Sequence, residues 1–458
     1  MTLFEKVRVI SFNPPSVSEP TDVAAADSGE AAGSIVEVGK DLAKKYPNAK
    51  RVTGAYLSPG LVCSHTHLYS ALARGMLVDI EASKDFAHQL KNLWWRLDRA
   101  IDPAILEYSA LAGCADAAMC GVTSLVDHHA GPEAIDGSLT TIRKAYEEIG
   151  IRGLLCYETT DRNGMDGAKA GVRENVRFAK EVDAIRASGT KPLVEAAIGG
   201  HALFTIGEDT LAAMAEAASS TGRGVHIHAA EDKYDAVDSR HRFGRDLAAR
   251  LDRAGLLGPK AIVGHGLFLT ESEIELMNER DVFLAHNARS NVNNSVGYNA
   301  LLAKHRNVVL GTDGMGADML EEFKFAYFRH REFQGPWWPG DFLACLDRGN
   351  RLLERYFARD WTAAPEAAKS GAAPFFGQVK AGSPADLVLW DYEPPTPLVG
   401  ENIGGHIAFG LSSRSVRSVM VNGKFIVEDR KPAFDSSRIA AGAREQASRL
   451  WKRMGERR

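Results

Sequence analysis

From Tyr56 onward, short apolar runs rich in β-branched residues alternate with longer stretches of helical period. The runs are LSPGLVCSH (57–65), VTSLVDHH (122–129), RGLLCYET (152–159), LVEAAIGGH (193–201), GVHIHAA (224–230), AIVGHG (261–266), VFLAHN (282–287) and VVLGTDG (308–314). Between and after them the spacing predicts helices over 102–119, 132–149, 168–188, 207–221, 234–255, 271–279, 297–305 and 319–333, with another near 341–358. Eight strands each followed by a helix is the repeat of a (β/α)8 TIM barrel, whose strands are buried on both faces and read as nearly continuous apolar runs. An open doubly wound sheet shares the alternation. The polar residues at the strand ends favour the barrel.

Both ends of the chain have β character. KVRVISF and SIVEVG precede the alternating region, separated by a segment from Asn13 to Gly33 that reads as a loop. SPADLVLWD (383–391) and SVMVNGKFIVED (418–429) follow it, the second with an Asn422–Gly423 hairpin turn. Neither end alone supplies enough strands to bury a face, so a small β-sandwich built from both termini is expected. This gives 1–57 and 376–458 as the sandwich, 58–375 as the barrel, and a closing charged helix from Ser436 to Arg458.

Composition narrows the function. With 458 residues, 45% hydrophobic and 25% charged, the chain is ordinary globular protein. A net charge of −4 advertises no nucleic-acid-binding field, and no apolar run is long enough for a membrane span or signal peptide. Five cysteines without a C-x-x-C fit a reducing cytoplasm. P-loop, G-x-G-x-x-G, G-x-S-x-G and H-E-x-x-H signatures are absent.

The histidines then change the picture. Nine of the 14 lie in or at the ends of six predicted strands: His65, His67, His128, His129, His201, His226, His228, His265 and His286. In a barrel those ends converge on one mouth. In H-x-H on a strand both rings share a face, so His65 and His67 can grip one ion. With His228 and Asp313 they form the expected metal set, His265 standing close by; such donors favour zinc or iron(II). His226 reads as a satisfied core residue. Asp313 can accept a proton as the nucleophile forms, Glu231 can shuttle protons to substrate, and His265 can orient the attacking oxygen or polarise the leaving group. Taken singly, an H-x-H is more often a polar strand end and an Asp after a strand a helix cap; together at one edge they are hard to explain that way.

PGLVCSHTHL, HIHAAED, VGHG and GTDG together resemble the amidohydrolase superfamily, in its cytosine-deaminase, guanine-deaminase and triazine-hydrolase branch. Within it, HTHLYSALARGM, LKNLWWRLDRAID and VDHHAGPEAIDGSL look like the SsnA-type aminohydrolases. The resemblance implies one divalent ion on His65, His67, His228 and Asp313, Glu231 as proton shuttle, His265 as an orienting group, and a homodimer. GGHALFT is similar to a substrate-binding stretch of adenosine-type deaminases, which makes His201 a substrate contact. Cys63 and the HNARSN of 286–291 depart from the branch pattern at the border of the site. Roles for His128, His129, Arg74, Trp94 and Trp95 stay open.

The expected function is ammonia release from an amino-substituted nitrogen heterocycle such as a purine or pterin. The alternatives are a chlorohydrolase or cyclic-amide hydrolase on the same scaffold, and a non-catalytic metal- or purine-binding protein, which would have no need of Glu231 or Asp313.

Overall fold

The computed structural model describes residues 1–361 and 375–457. Residues 362–374, assigned above to the end of the central unit, and Arg458 lie outside the described residues. The predicted central strands form at Leu61–Thr66, Val122–His129, Arg152–Tyr157, Val194–Ala196 with Ile198–Ala202, Val225–Ala229, Ile262–His265, Phe283–His286 and Val308–Leu310. All pair in parallel, in two arcs. The fourth strand breaks at Ala197: its first half pairs with Arg152–Tyr157 and its second half with Val225–Ala229. Only isolated parallel bridges, Thr66 to Asp313 and Thr159 to Gly200, span the two seams. The fold is thus a parallel α/β unit whose ladder is not one continuous ring.

Alternation sorts the strand residues into two layers. Leu61, Cys63, Val225, Ile227, Val263, Val308 and Leu310 pack with the surrounding helices. Val62, Val126, Leu154, Ala197, Ile262, Phe283, Ala285 and Val309 form a second cluster, closed by Leu352, Leu353, Tyr356 and Phe357 of the Pro339–Phe357 helix and by Trp361, Phe375 and Phe376. That plug fills the end of the unit opposite the histidines.

Most helices form where the period places them. Asp102 caps Pro103–Met119 by accepting from Ile105 N at 3.0 Å, and Thr270 and Glu273 make a reciprocal capping box. The stretch 234–255 divides into Lys233–Phe243 and Leu247–Arg253 because Gly244 adopts φ +63°, which ends the first helix. At 297–305 only a 3-10 turn, Leu302–Lys304, appears, and the helix lies earlier, at Ala288–Asn293. HNARSN has weak helical propensity, and polar contacts to the site hold it in that shape.

The termini share one sheet of ten strands, eight in a single path and two more branching from Thr2–Phe12, joined where Tyr56–Pro59 pairs antiparallel with Leu387–Trp390. The segment Asn13–Gly33, read as a loop, carries the strands Pro15–Val17 and Thr21–Ala25; both pair with Thr2–Phe12, the first as a tight hairpin, which short Pro- and Ala-rich sequence does not reveal. The Asn422–Gly423 turn forms as read, with φ of +51° and +75°.

Arg152, on the third parallel strand, ties this unit to the terminal sheet. Its Nε and Nη2 donate to Asp386 at 2.7 and 3.1 Å, both side chains are buried, and Phe357, Trp361 and Phe376 surround the guanidinium. Removing one partner of such a pair strands the other charge. We expect Arg152→Ala to cost about 3–5 kcal/mol, and replacement of both Arg152 and Asp386 by apolar residues of similar volume to cost clearly less. Equal melting temperatures for Arg152→Ala and the parent would refute that role.

Candidate metal centre

Local backbone devices aim the donors. Strict alternation would put His65 on the face of Leu61 and Cys63, against the helices; a register shift between Cys63 and Thr66 turns it inward. His226 and His228 need no such help and point in by simple alternation with Val225, Ile227 and Ala229. His265 and Asp313 follow their strands with φ of +72° and +52°, and Ala230, just before Glu231, has φ +54°. Left-handed backbone at non-glycine residues costs on the order of 1–3 kcal/mol each and clusters at functional sites.

One ligand atom each from His65, His228, His265 and Asp313 falls within 4.8 Å of the others, all four residues buried. His67 joins through Asp313: its Nε2 is 2.6 Å from Oδ1, with His65 Nε2 at 3.4 Å from the same oxygen. His67, His128, Glu158 and His228 make a neighbouring group. Three of the four residues expected as ligands thus fall in one group with His265, and the fourth, His67, touches that group through Asp313.

Tautomers follow from the outer contacts. His67 Nδ1 donates to the His128 carbonyl at 2.6 Å, which leaves Nε2 as the nitrogen that faces Asp313 and the centre. That same bond prevents Nδ1 from ligating, so the neighbouring group does not read as a second cation site. His265 Nδ1 donates to Asn291 Oδ1 at 2.9 Å, and its Nε2, buried beside the centre, has no hydrogen-bond partner. His65 Nδ1 meets His226 Nε2 at 2.9 Å. His226, fully buried, is thus a hydrogen-bonded core residue, as its sequence context implied, and the ring it supports is that of His65. His65 Nε2 and His228 Nε2 approach to 3.2 Å. Ring nitrogens converging on a carboxylate, one of them orphaned, fit a divalent cation of zinc or iron(II) type.

Electrostatics distinguish the two rings of the first strand. Burial holds the His65 pKa down to about 3, so the ring is neutral and able to ligate at pH 7. Burial also opposes a charge on His67, but the Asp313 carboxylate outweighs it and raises that pKa to about 10, so this ring pairs with Asp313 as a cation and a metal ion would have to displace its Nε2 proton. The Asp313 carboxyl is held far below its usual range: burial works against this, and His67, His65 and His265 overcome it. Burial raises Glu231 to about 7, against the pull of His265.

The displaced helix Ala288–Asn293 proves to be the scaffold of the site. Ser290 Oγ donates to Asp313 Oδ2, Asn291 orients His265, and Asn294 Nδ2 donates to Glu231 Oε1 at 3.3 Å and to Ser290 Oγ at 3.2 Å. Sequence reasoning noticed this stretch only as a departure. Glu158 it missed outright, though a lone acid at the end of the third strand was the available signal.

Beside the centre lies a cleft of about 640 Å³, counting space open to solvent. His67, His228, Asp313, Glu231 and His201 line it, as do Trp94, Trp95, Phe204, Asp98 and Glu158. Trp94 and Trp95 therefore wall the site. Arg74 does not line it and pairs with Asp116 at 2.7 Å, largely exposed. His128 points inward, while His129 faces Tyr69 and Tyr157. His286 is buried, outside the donor groups, its ring edge toward Tyr298.

Histidines and a carboxylate over the ends of parallel strands are the arrangement of a metal-dependent hydrolase built on an α/β scaffold. The chain belongs to the amidohydrolase family, whose model matches residues 56–426. It is 29% identical over 403 residues to a 5-methylthioadenosine/S-adenosylhomocysteine deaminase of Thermococcus sibiricus, covering 86% of this chain and 87% of that one. Among solved structures it resembles an adenosine deaminase from Xanthomonas campestris with bound zinc (TM-score 0.79, 24% identity, 98% of each chain). A zinc-complexed atrazine chlorohydrolase from Arthrobacter aurescens is similar too (TM-score 0.76, 22% identity, 98% of this chain and 100% of that one).

Two outcomes are expected. Ser290→Ala should weaken metal affinity about 10- to 100-fold, read by competition with a metal-chelating dye; unchanged affinity would free Asp313 of this support. Burial also presses His129 and His286 to about 3 against an ordinary 6.5. Between those values the unfolded chain binds more protons, so stability is whole above about pH 6.5 and falls as pH drops towards 3. Melting temperatures measured down that range should decline less steeply in His286→Phe than in the parent.

Proposed function

We propose that this protein is a metal-dependent aminohydrolase, releasing ammonia from an amino-substituted nitrogen heterocycle such as a purine or pterin. The observation that carries the reading is Glu231. Its carboxyl lines the cleft, lies 3.6 Å from His265 Nε2, is held by Asn294, and titrates near 7 through burial. A group with that pKa both takes and gives a proton at neutral pH, as ring protonation and amine departure require.

In this reading His65, His67, His228 and Asp313 hold one ion, zinc by preference, with His265 beside them. When bound, the ion supplies Lewis acidity that makes hydroxide available near neutral pH. Asp313 takes up the proton released from water, Glu231 delivers protons to the ring nitrogen and the leaving amine, and His265 orients the attacking oxygen. His201 contacts the substrate. The names of the relatives support deamination. The same reading takes the two arcs as one eight-stranded barrel over 58–375, the strands of 1–57 and 376–458 as a β-sandwich, and the working form as a cytoplasmic homodimer; the bridges at both seams support the barrel.

Metal-replete protein should release ammonia from at least one member of an aminopurine, pterin and aminopyrimidine panel. Glu231→Gln should keep the ion and lose about 10²–10⁴-fold in kcat. Loss of the ion would make Glu231 a ligand, and a retained rate would remove it from the chemistry.

A further inference from the structure

Glu158 is the first residue beyond the Arg152–Tyr157 strand, tied there by its N–H to the His129 carbonyl at 2.8 Å. It is 3% exposed and lines the cleft. Its Oε1 has no hydrogen-bond partner. His67 Nδ1, 3.3 Å away, spends its proton on the His128 carbonyl. His128 donates through Nε2 to the His226 carbonyl at 3.1 Å, and its Nδ1, 3.1 Å from Oε1, carries a proton only when that ring is doubly protonated.

His201 has a fixed tautomer as well. Thr205 Oγ1 donates to the Ala202 carbonyl at 2.8 Å, so at 3.0 Å it accepts from His201 Nδ1. The lone pair of His201 therefore sits on Nε2, 3.9 Å from Glu158 Oε2. Two acceptors stand side by side in the cleft wall. Oε1 is turned to the His67 and His128 rings, so the two acceptors that stand together are Oε2 and His201 Nε2 of these cleft-lining residues, and a group seated beside them gains hydrogen bonds only by bringing donors.

We propose that Glu158 and His201 form a recognition pair that reads two adjacent hydrogen-bond donors on the substrate. This rests on the cleft being the substrate site. The pair takes either the amino–imino edge of a 2-amino-4-oxo heterocycle or the vicinal diol of a sugar. Phosphorylated substrates do not fit, because Asp98, Glu158, Glu231, Asp232, Asp235 and Asp313 line the cleft and no Lys or Arg does among the described residues. Arg162, stacked on Trp95 at 4.9 Å, is already paired with Asp98.

The test is binding calorimetry on full-length metal-loaded protein, wild type and Glu158→Gln. Four probes serve: isocytosine, pyrimidin-4-one without its amino group, adenosine, and 2′,3′-dideoxyadenosine. In the wild type, loss of the donor should weaken binding about 10- to 100-fold in one of the two matched pairs, and that pair identifies the source of the donors. Glu158→Gln should weaken the donor-bearing probe by a similar factor and leave its stripped partner within about twofold.

The proposal is overturned if both pairs bind wild type without discrimination, if the wild type binds none of the four, or if Glu158→Gln changes neither member of the discriminating pair. It is also overturned if Glu158→Gln gives up its metal at a free-metal level that saturates wild type, since Glu158 would then serve His67. The matched-probe comparison on wild type needs no variant to fold. Ammonia assays separate this from the deaminase reading: selective binding without ammonia sinks deamination alone, and ammonia release without donor discrimination sinks the pair alone.

Discussion

Buried ring nitrogens converging on a carboxylate are the constraint on which the rest depends. His65 Nε2 and His228 Nε2 meet at 3.2 Å, Asp313 Oδ1 lies 2.6 Å from His67 Nε2, and His265 Nε2 has no partner. Each buried polar atom left unsatisfied costs about 1–3 kcal/mol, against a total stability of about 5–15 kcal/mol for a typical domain. Such a cluster persists only where the surroundings enforce it, and a cation relieves it. Binding and folding are therefore linked at this centre.

The enforcement is distributed over elements far apart in the chain. The register shift after Cys63 turns His65 inward, and left-handed backbone at His265 and Asp313 does the same at two other strand ends. His226 braces His65, and the His128 carbonyl fixes the tautomer of His67. The short helix Ala288–Asn293 and the Asn294 that follows reach Asp313, His265 and Glu231 through three side chains. The apolar plug of Phe357, Trp361, Phe375 and Phe376 fills the opposite end, so the histidine end is left for chemistry.

Much of this was legible in the chain. Period-two and helical patterns located the parallel strands and most of the helices, because those patterns record which face each element buries. The candidate donors were legible because His65, His67, His228 and Asp313 sit at strand ends, where parallel topology gathers them. The strands hidden in Asn13–Gly33 were not, since such short runs become strands by pairing with Thr2–Phe12 and Ile35–Gly39. The Ser290–Asn294 supports were not either; nothing in their neighbours' pattern marks a side chain whose role is a contact more than 20 residues away, and Glu158 was marked only as a lone acid after the third strand.

What the sequence determined by itself was the order of elements, the edge on which the chemistry collects, and the residue types able to bind a cation there. Only the tertiary structure decided how the fourth strand divides between two arcs and which way each ring turns. It also decided which imidazole nitrogen keeps its proton, and that a glutamate from the third strand faces a histidine from the fourth. Burial patterns are written residue by residue and survive in one dimension. Lone-pair direction depends on the partner that happens to stand opposite, and that partner is chosen by folding.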